Sequence, residues 1–99
     1  MDRKVVLHRL VRRDMSGILS YYTDEAPASV GDRFFRTFLE VVDKALRGPK
    51  TFHPISSVLR RADIPGFPYH FLYRETAYGI RVLVLRHDRR HPAYGLNRR

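Results

Sequence analysis

The chain has no cysteine. Disulfides and thiolate metal sites are therefore excluded, and nothing in the composition points to an oxidising compartment. Long apolar runs are also missing. The opening "MDRKVV" leads into only Val5–Leu7 before polarity returns, so no signal peptide is read there. No window approaches the roughly 18 apolar residues that a membrane span needs. A soluble, cytoplasmic protein with no membrane association is the default expectation. Lysine is scarce as well: Lys4, Lys44 and Lys50 are the only three among 19 basic residues, and only 10 acidic residues oppose them.

What remains is arginine. The formal net charge is +9, carried mostly by guanidinium groups, whose planar fork suits phosphate and carboxylate recognition better than a lysine point charge does. The charge is uneven. Arg81, Arg86, Arg89, Arg90, Arg98 and Arg99 face a single acid, Asp88, in the last part of the chain. Such a balance calls for an acidic partner, either nucleic acid or an acidic protein; a basic surface with no partner is the plain alternative.

Ninety-nine residues make one domain, 1–99, because two halves would be too small for cores of their own. A chain of this size buries roughly 65% of its unfolded surface. "KVVLHR" (Lys4–Arg9) reads as a first strand. Val11, Met15, Ile18 and Tyr22 then recur at helical spacing, with Arg12, Arg13, Asp14 and Ser20 on the other face, and this helix fades around Thr23–Ala26. A second helix follows Pro27, with a stripe of Val30, Phe34, Phe38, Val41 or Val42, and Ala45, widened by Phe35, Leu39 and Leu46. Gly48-Pro49 stops it.

Pro49–Ser57 breaks all periodicity and reads as a loop. Three strands follow: Val58–Ile64, then Phe67–Glu75 after a Pro65-Gly66 turn, then Ile80–His87 after "TAYG". In the last strand, strict alternation puts Ile80, Val82, Val84 and Arg86 on one face and Arg81, Leu83, Leu85 and His87 on the other. Both faces are apolar at its middle, which marks a central strand. The fold class is therefore α+β in the order β-α-α-β-β-β, with a helical hairpin on one face of a mostly antiparallel sheet. The other face is left free for binding. Phe67, Tyr69, Phe71 and Tyr73 alternate along one face of the middle strand and read as core packing before target contact; Pro68 marks that strand's starting end or a bulge.

Three chemical readings compete for "RHDRRHP" (residues 86–92). His87, Asp88 and His91 imitate the spacing of H-E-x-x-H zinc sites. That spacing works only on a helix, and here a strand precedes it while Pro92 pushes His91 out of the α region, so no metal is expected. Metal-free RNA cleavage would need a base, an acid and cations on the phosphorane, roles open to His87, Tyr94 and an arginine such as Arg61. Recognition without catalysis would use Arg60, Arg61, Arg81, Arg86, Arg89 and Arg90 as a basic docking surface.

Four stretches carry a family resemblance: "RRDMSGILSYYTDEAP", "GDRFFRTFLEVVDKAL", "IPGFPYHFLYRE" and "IRVLVLRHDRRHP", followed by Tyr94 and Arg98 or Arg99. Together they resemble the RelE/ParE superfamily of type II toxins over nearly the whole chain, and more closely its ParE-like, plasmid-stabilisation branch. The resemblance implies a toxin held inactive by a cognate acidic antitoxin, as a hetero-oligomer or with a toxin dimer, and no cofactor. ParE-like members poison DNA gyrase by binding. RelE-like members cut messenger RNA on the ribosome with basic residues and a C-terminal tyrosine or histidine, onto which Arg61, Tyr94 and His87 would map. A "GFPYHFLYR" stretch where the RelE pattern has a Gly-Asp-Tyr-Arg-like motif, and the few lysines, favour the ParE-like reading. A non-toxic binding module of the same fold is the third reading.

Overall fold

The computed structural model describes residues 2–99. The elements are β1 (Lys4–Leu7), α1 (Val11–Glu25), α2 (Ala28–Arg47), β2 (His53–Pro54), β3 (Arg60–Asp63), β4 (Tyr69–Thr76) and β5 (Gly79–His87). They form one five-stranded sheet in the order β1-β5-β4-β3-β2. Only the β1–β5 pair is parallel. β5 lies between the first and second-last strands in sequence, as its two apolar faces require.

The helices form where the apolar period is 3.6. α1 buries Val11, Met15 and Ile18, and α2 buries Phe34, Phe38, Val41, Val42 and Ala45. Pro27 stands at the N-terminal boundary of α2 and Gly48 at its C-terminal one. The hairpin lies on a sheet face floored by Ala62, Phe71, Tyr73, Ile80, Val82 and Leu85. Of the aromatic ladder, Phe71 and Tyr73 are core, while half-buried Phe67 and Tyr69 pack against it: Phe34 meets Phe67 at 5.1 Å and Tyr69 at 5.3 Å between ring centroids, and Phe38 meets Phe71 at 5.5 Å. Buried Tyr73 donates its hydroxyl hydrogen to the Pro49 carbonyl, 2.7 Å away. Phe35 and Leu39, on the flank of the α2 stripe, stay exposed.

Several strand limits differ from the sequence reading. β1 stops at Leu7 because His8 turns the chain: its ring Nδ1 accepts from the Leu10 amide and its carbonyl accepts from the Val11 amide. β3 starts at Arg60 because the Ser56 hydroxyl caps the amides of Val58 and Leu59 in a tight turn. The stretch Pro49–Ser57 is not all loop, since His53 and Pro54 pair with Arg61 and Arg60. β4 begins after Pro68, which cannot donate to a ladder.

The main correction concerns β5. Leu72 pairs with Val84 but Tyr73 pairs with Val82, so Leu83 is an extra residue, a β-bulge. Alternation therefore breaks there. Ile80 and Val82 share the helix-covered face with Leu85 and His87, while Val84 and Arg86 turn to the opposite face with His70 and Leu72.

That opposite face is not left free. The C-terminal segment crosses it, and Gly95, at φ 82°, lies so close that a Cβ there would come within 2.6 Å of a Val84 methyl. Arg86 fixes this segment by donating from Nη1 to the carbonyls of Pro92 (2.7 Å) and Tyr94 (2.9 Å). Farther along, Arg98 makes a two-pronged ion pair with Asp14 of α1, and the two side chains are only 8% and 4% exposed. Asp14 was expected on the solvent face of its helix. Instead it also accepts from the Leu85 amide at 3.0 Å, while Arg98 donates to the Leu83 carbonyl. β1 ends opposite Val82, so this ion pair takes over the outer edge of β5 where the neighbouring strand stops. Unmatched backbone groups in a buried position are costly, which gives both residues a structural reason. No helix among the described residues is long and apolar enough to cross a membrane.

Candidate functional site

At the end of β5 a cleft of about 600 Å³ opens between α1 and the tail. It is lined by Arg13, Asp14 and Gly17 of α1, Tyr69 of β4, Leu85, Arg86 and His87 of β5, and Arg89, Arg90 and Tyr94. The bulge at Leu83 puts His87 here, edge-on to the Tyr69 ring at 5.1 Å. The His87 Nδ1 accepts from the Arg89 amide at 3.0 Å, so Nε2 is the ring nitrogen left for a ligand. Arg90 lies over the Tyr94 ring at 4.1 Å and Arg98 at 5.3 Å, so both guanidinium groups meet the ring's negative face. Burial pushes the Tyr69 phenol above its ordinary pKa and keeps it protonated. Arg13, Arg89 and Arg90 form no ion pair among the described residues. The cleft therefore offers three cations without counter-ions, because Asp14 is already committed to Arg98 and the Leu85 amide.

The other arginines named from sequence lie elsewhere. Arg86 is buried, and its donors go to Pro92, Tyr94 and the Nε2 of His70 at 2.9 Å. It is a framework residue rather than a free docking cation. Arg61 donates from Nε to Asp63 at 3.0 Å and from Nη2 to Asp88 at 3.3 Å. It does not line the cleft with His87 and Tyr94. Arg60 holds the carbonyls of Phe52 and Lys50 and borders a separate hollow with Arg74 and Lys50. Arg81 donates to the carbonyl of Arg99. The six arginines thus fall into five separate groups, and only Arg89 and Arg90 present free charge to the cleft, beside Arg13.

His70 is the residue that sequence reasoning passed over. It is 1% exposed and joins two arginines through an acid. Arg86 can only donate, so His70 Nε2 accepts, and Nδ1–H donates to Asp88 at 2.8 Å. Burial depresses its pKa, Arg61 and Arg86 push the same way, and the Asp88 hydrogen bond opposes them. Burial likewise lowers Arg86. Asp63, His70 and Asp88 each place a donor atom within 4.8 Å of the others, the one grouping among the described residues that resembles a metal site. Arg61 bonds both carboxylates and supplies the positive charge that a cation would. His87 and His91 do not join it. His91 instead accepts from the Ala93 amide through Nδ1. The strand-end geometry that argued against the zinc spacing is present.

No family model matches the chain. It is 32% identical over 93 residues to the protein named Toxin ParE2 of Mycobacterium tuberculosis, in strains H37Rv and CDC 1551, covering 93% of this chain and 88% of that one. Its fold is similar to a chain of the chromosomal ParDE TA system from P. aeruginosa, with a TM-score of 0.74 at 12% identity, over 86% of this chain and 95% of that one.

Proposed function

The chain belongs to the RelE/ParE toxin superfamily, and from that premise we propose that it is the toxin of a type II toxin–antitoxin pair. It arrests growth by binding DNA gyrase and is neutralised by a cognate acidic antitoxin. The observation that carries a binding mode is the cleft of Arg13, Arg89 and Arg90, three guanidinium groups with no internal counter-ion. Uncompensated, convergent charge of this kind steers and holds an acidic partner. The sequence relatives support a toxin, and the ParDE neighbour supports a fold that pairs with an antitoxin.

An mRNA endoribonuclease is the second reading, favoured by one observation: His87 and Tyr94 line the same cleft. Against it, Arg61 is held by two carboxylates outside that cleft, and the Tyr94 ring is engaged by two guanidinium groups. Tightly controlled expression in bacteria separates the readings. The expected result is growth arrest with gyrase-dependent DNA breaks, relieved by co-expressing the cognate antitoxin. Arrest should persist in His87→Ala and fail in the Arg89→Ala/Arg90→Ala double variant. Early transcript cleavage abolished by His87→Ala or Tyr94→Phe would replace gyrase with the ribosome as the target. No growth effect from the wild-type chain would leave a binding module without toxicity.

A further inference from the structure

Phe35 and Leu39 stand in the open on α2, 42% and 48% exposed. They are four residues apart and so neighbours on one face, and half-buried Leu46 continues their stripe two turns on. Single apolar residues on a surface need no explanation, but two aligned along a helix make a patch. The core does not hold them, since Phe34, Phe38, Val41, Val42 and Ala45 already fill the buried side of α2. No residue of α2 lines the cleft, so this face is separate from the site described above.

The charges beside the stripe say what covers it. Asp32, Glu40 and Asp43 stand against Arg33, Arg36, Lys44 and Arg47, which leaves α2 nearly neutral in a chain of net charge +9. A second copy approaching here meets little of the repulsion that such a net charge sets up. The order of the charges is also self-complementary. Arg36 lies one turn before Leu39 and Asp43 one turn after it, and Asp32 and Arg47 lie two turns out in either direction, all along one side of the helix. Turning one α2 end for end about a two-fold axis at Leu39 sets Arg36 against Asp43 of the second copy, and Asp32 against Arg47, in both directions. Asp32 and Arg36 form no ion pair among the described residues, and the Asp43–Arg47 pair within the helix is exposed. An acidic partner would instead meet Asp32 and Asp43 at the edge of the stripe and be repelled.

We propose that this face of α2 is a docking surface for a second copy of the chain. The two helices run antiparallel, with Leu39 at the two-fold axis, Phe35 packed beside it and ion pairs along the rim. A contact confined to one helix face falls below the roughly 1,200 Å² of a standard interface, so the dimer is weak and reversible. Both clefts stay open in it, and the pairing holds or fails whatever the cleft binds.

The test is sedimentation velocity of the purified full-length chain from about 10 µM to about 1 mM. Wild type should move from the mass of one chain toward that of two. Leu39→Asp should stay single throughout while melting like wild type, because the side chain it replaces is exposed. Arg36→Glu sets like charges against Asp43 of the second copy and should weaken association roughly tenfold. Asp43→Lys should do the same against Arg36, and combining the two reversals should restore association. Arg13→Ala, in the cleft, should leave it unchanged. If Leu39→Asp does not fold, the charge reversals decide. A wild-type chain that stays single over the whole range overturns the dimer. So does association untouched by Leu39→Asp, or a double reversal that associates no better than its parts. A wild-type chain that sediments singly, with antitoxin binding lost in Leu39→Asp, would assign this face to the antitoxin instead.

Discussion

His70 joins both arginine groups of the framework, yet it sits in an unremarkable strand of apolar and aromatic residues. It reads as one more alternating position in "FPYHFLYRE", and only the fold brings Asp88 and Arg86 to it from the neighbouring strand and the turn beyond. Its depressed pKa has a direct consequence for stability. The unfolded chain takes up a proton at His70 near its ordinary value of about 6.5, whereas the folded chain resists until lower pH because of burial and the facing guanidinium groups of Arg61 and Arg86. The unfolded state thus binds more protons between those two values, so stability is full above about pH 6.5 and falls as pH drops through the lowered folded value. Thermal melting from about pH 7.5 down to about pH 5.5 should show that fall. His8 is shifted in the same direction, its ring largely by burial, and adds to it. The His70→Gln variant, which can still donate to Asp88 and accept from Arg86, should show a shallower decline; an unchanged decline would remove His70 as its source.

At the scale of elements, the periodicities are plain in the sequence. The helical stripes, the Pro27 and Gly48 boundaries and the three closing strands can all be placed from spacing and turn residues. The Leu83 bulge cannot be seen that way. "IRVLVLRH" is apolar at successive positions, so either phase of alternation is compatible with it, and the choice depends on which neighbours each residue meets. That single extra residue decides that His87 enters the cleft and that Arg86 enters the framework. Asp14 was equally hidden. On a helix rich in arginine it looked like a solvated acid, whereas it serves the edge of β5 where β1 stops. Asp14→Ala leaves Arg98 as a buried cation and the Leu85 amide without a partner, and should cost about 3–5 kcal/mol in urea unfolding. Adding Arg98→Met to it should cost less than the sum of the two single changes, because the orphaned charge is gone. Strict additivity would show that the pair does not act as a unit.

For the whole molecule, charge pointed correctly to uneven basic character but not to its partition. Arginines adjacent in sequence separate in space. Arg86 turns inward and Arg89 outward, and Arg61 is neutralised by Asp63, two residues on in β3, and by Asp88 in the turn after β5. The tail is the larger surprise at this scale, since residues 92–99 close a sheet face that the order of elements left open. A chain ending before Pro92 should lose the Asp14–Arg98 pair and uncover Val84. Its stability should fall by at least the roughly 3–5 kcal/mol of the broken buried pair, and it should bind a hydrophobic dye that the full chain does not. A truncated chain with wild-type stability would mean that the tail merely rests on the sheet.

The position of β5 also sets a schedule for biosynthesis. β1 emerges before the other elements described here, but its sheet partner β5 emerges after them, and the Arg98 that completes the same edge follows β5. Such distant pairings form late and slowly. The nascent chain therefore cannot assemble its central strand, or the cleft at the end of it, until β5 and the segment that follows it have both emerged.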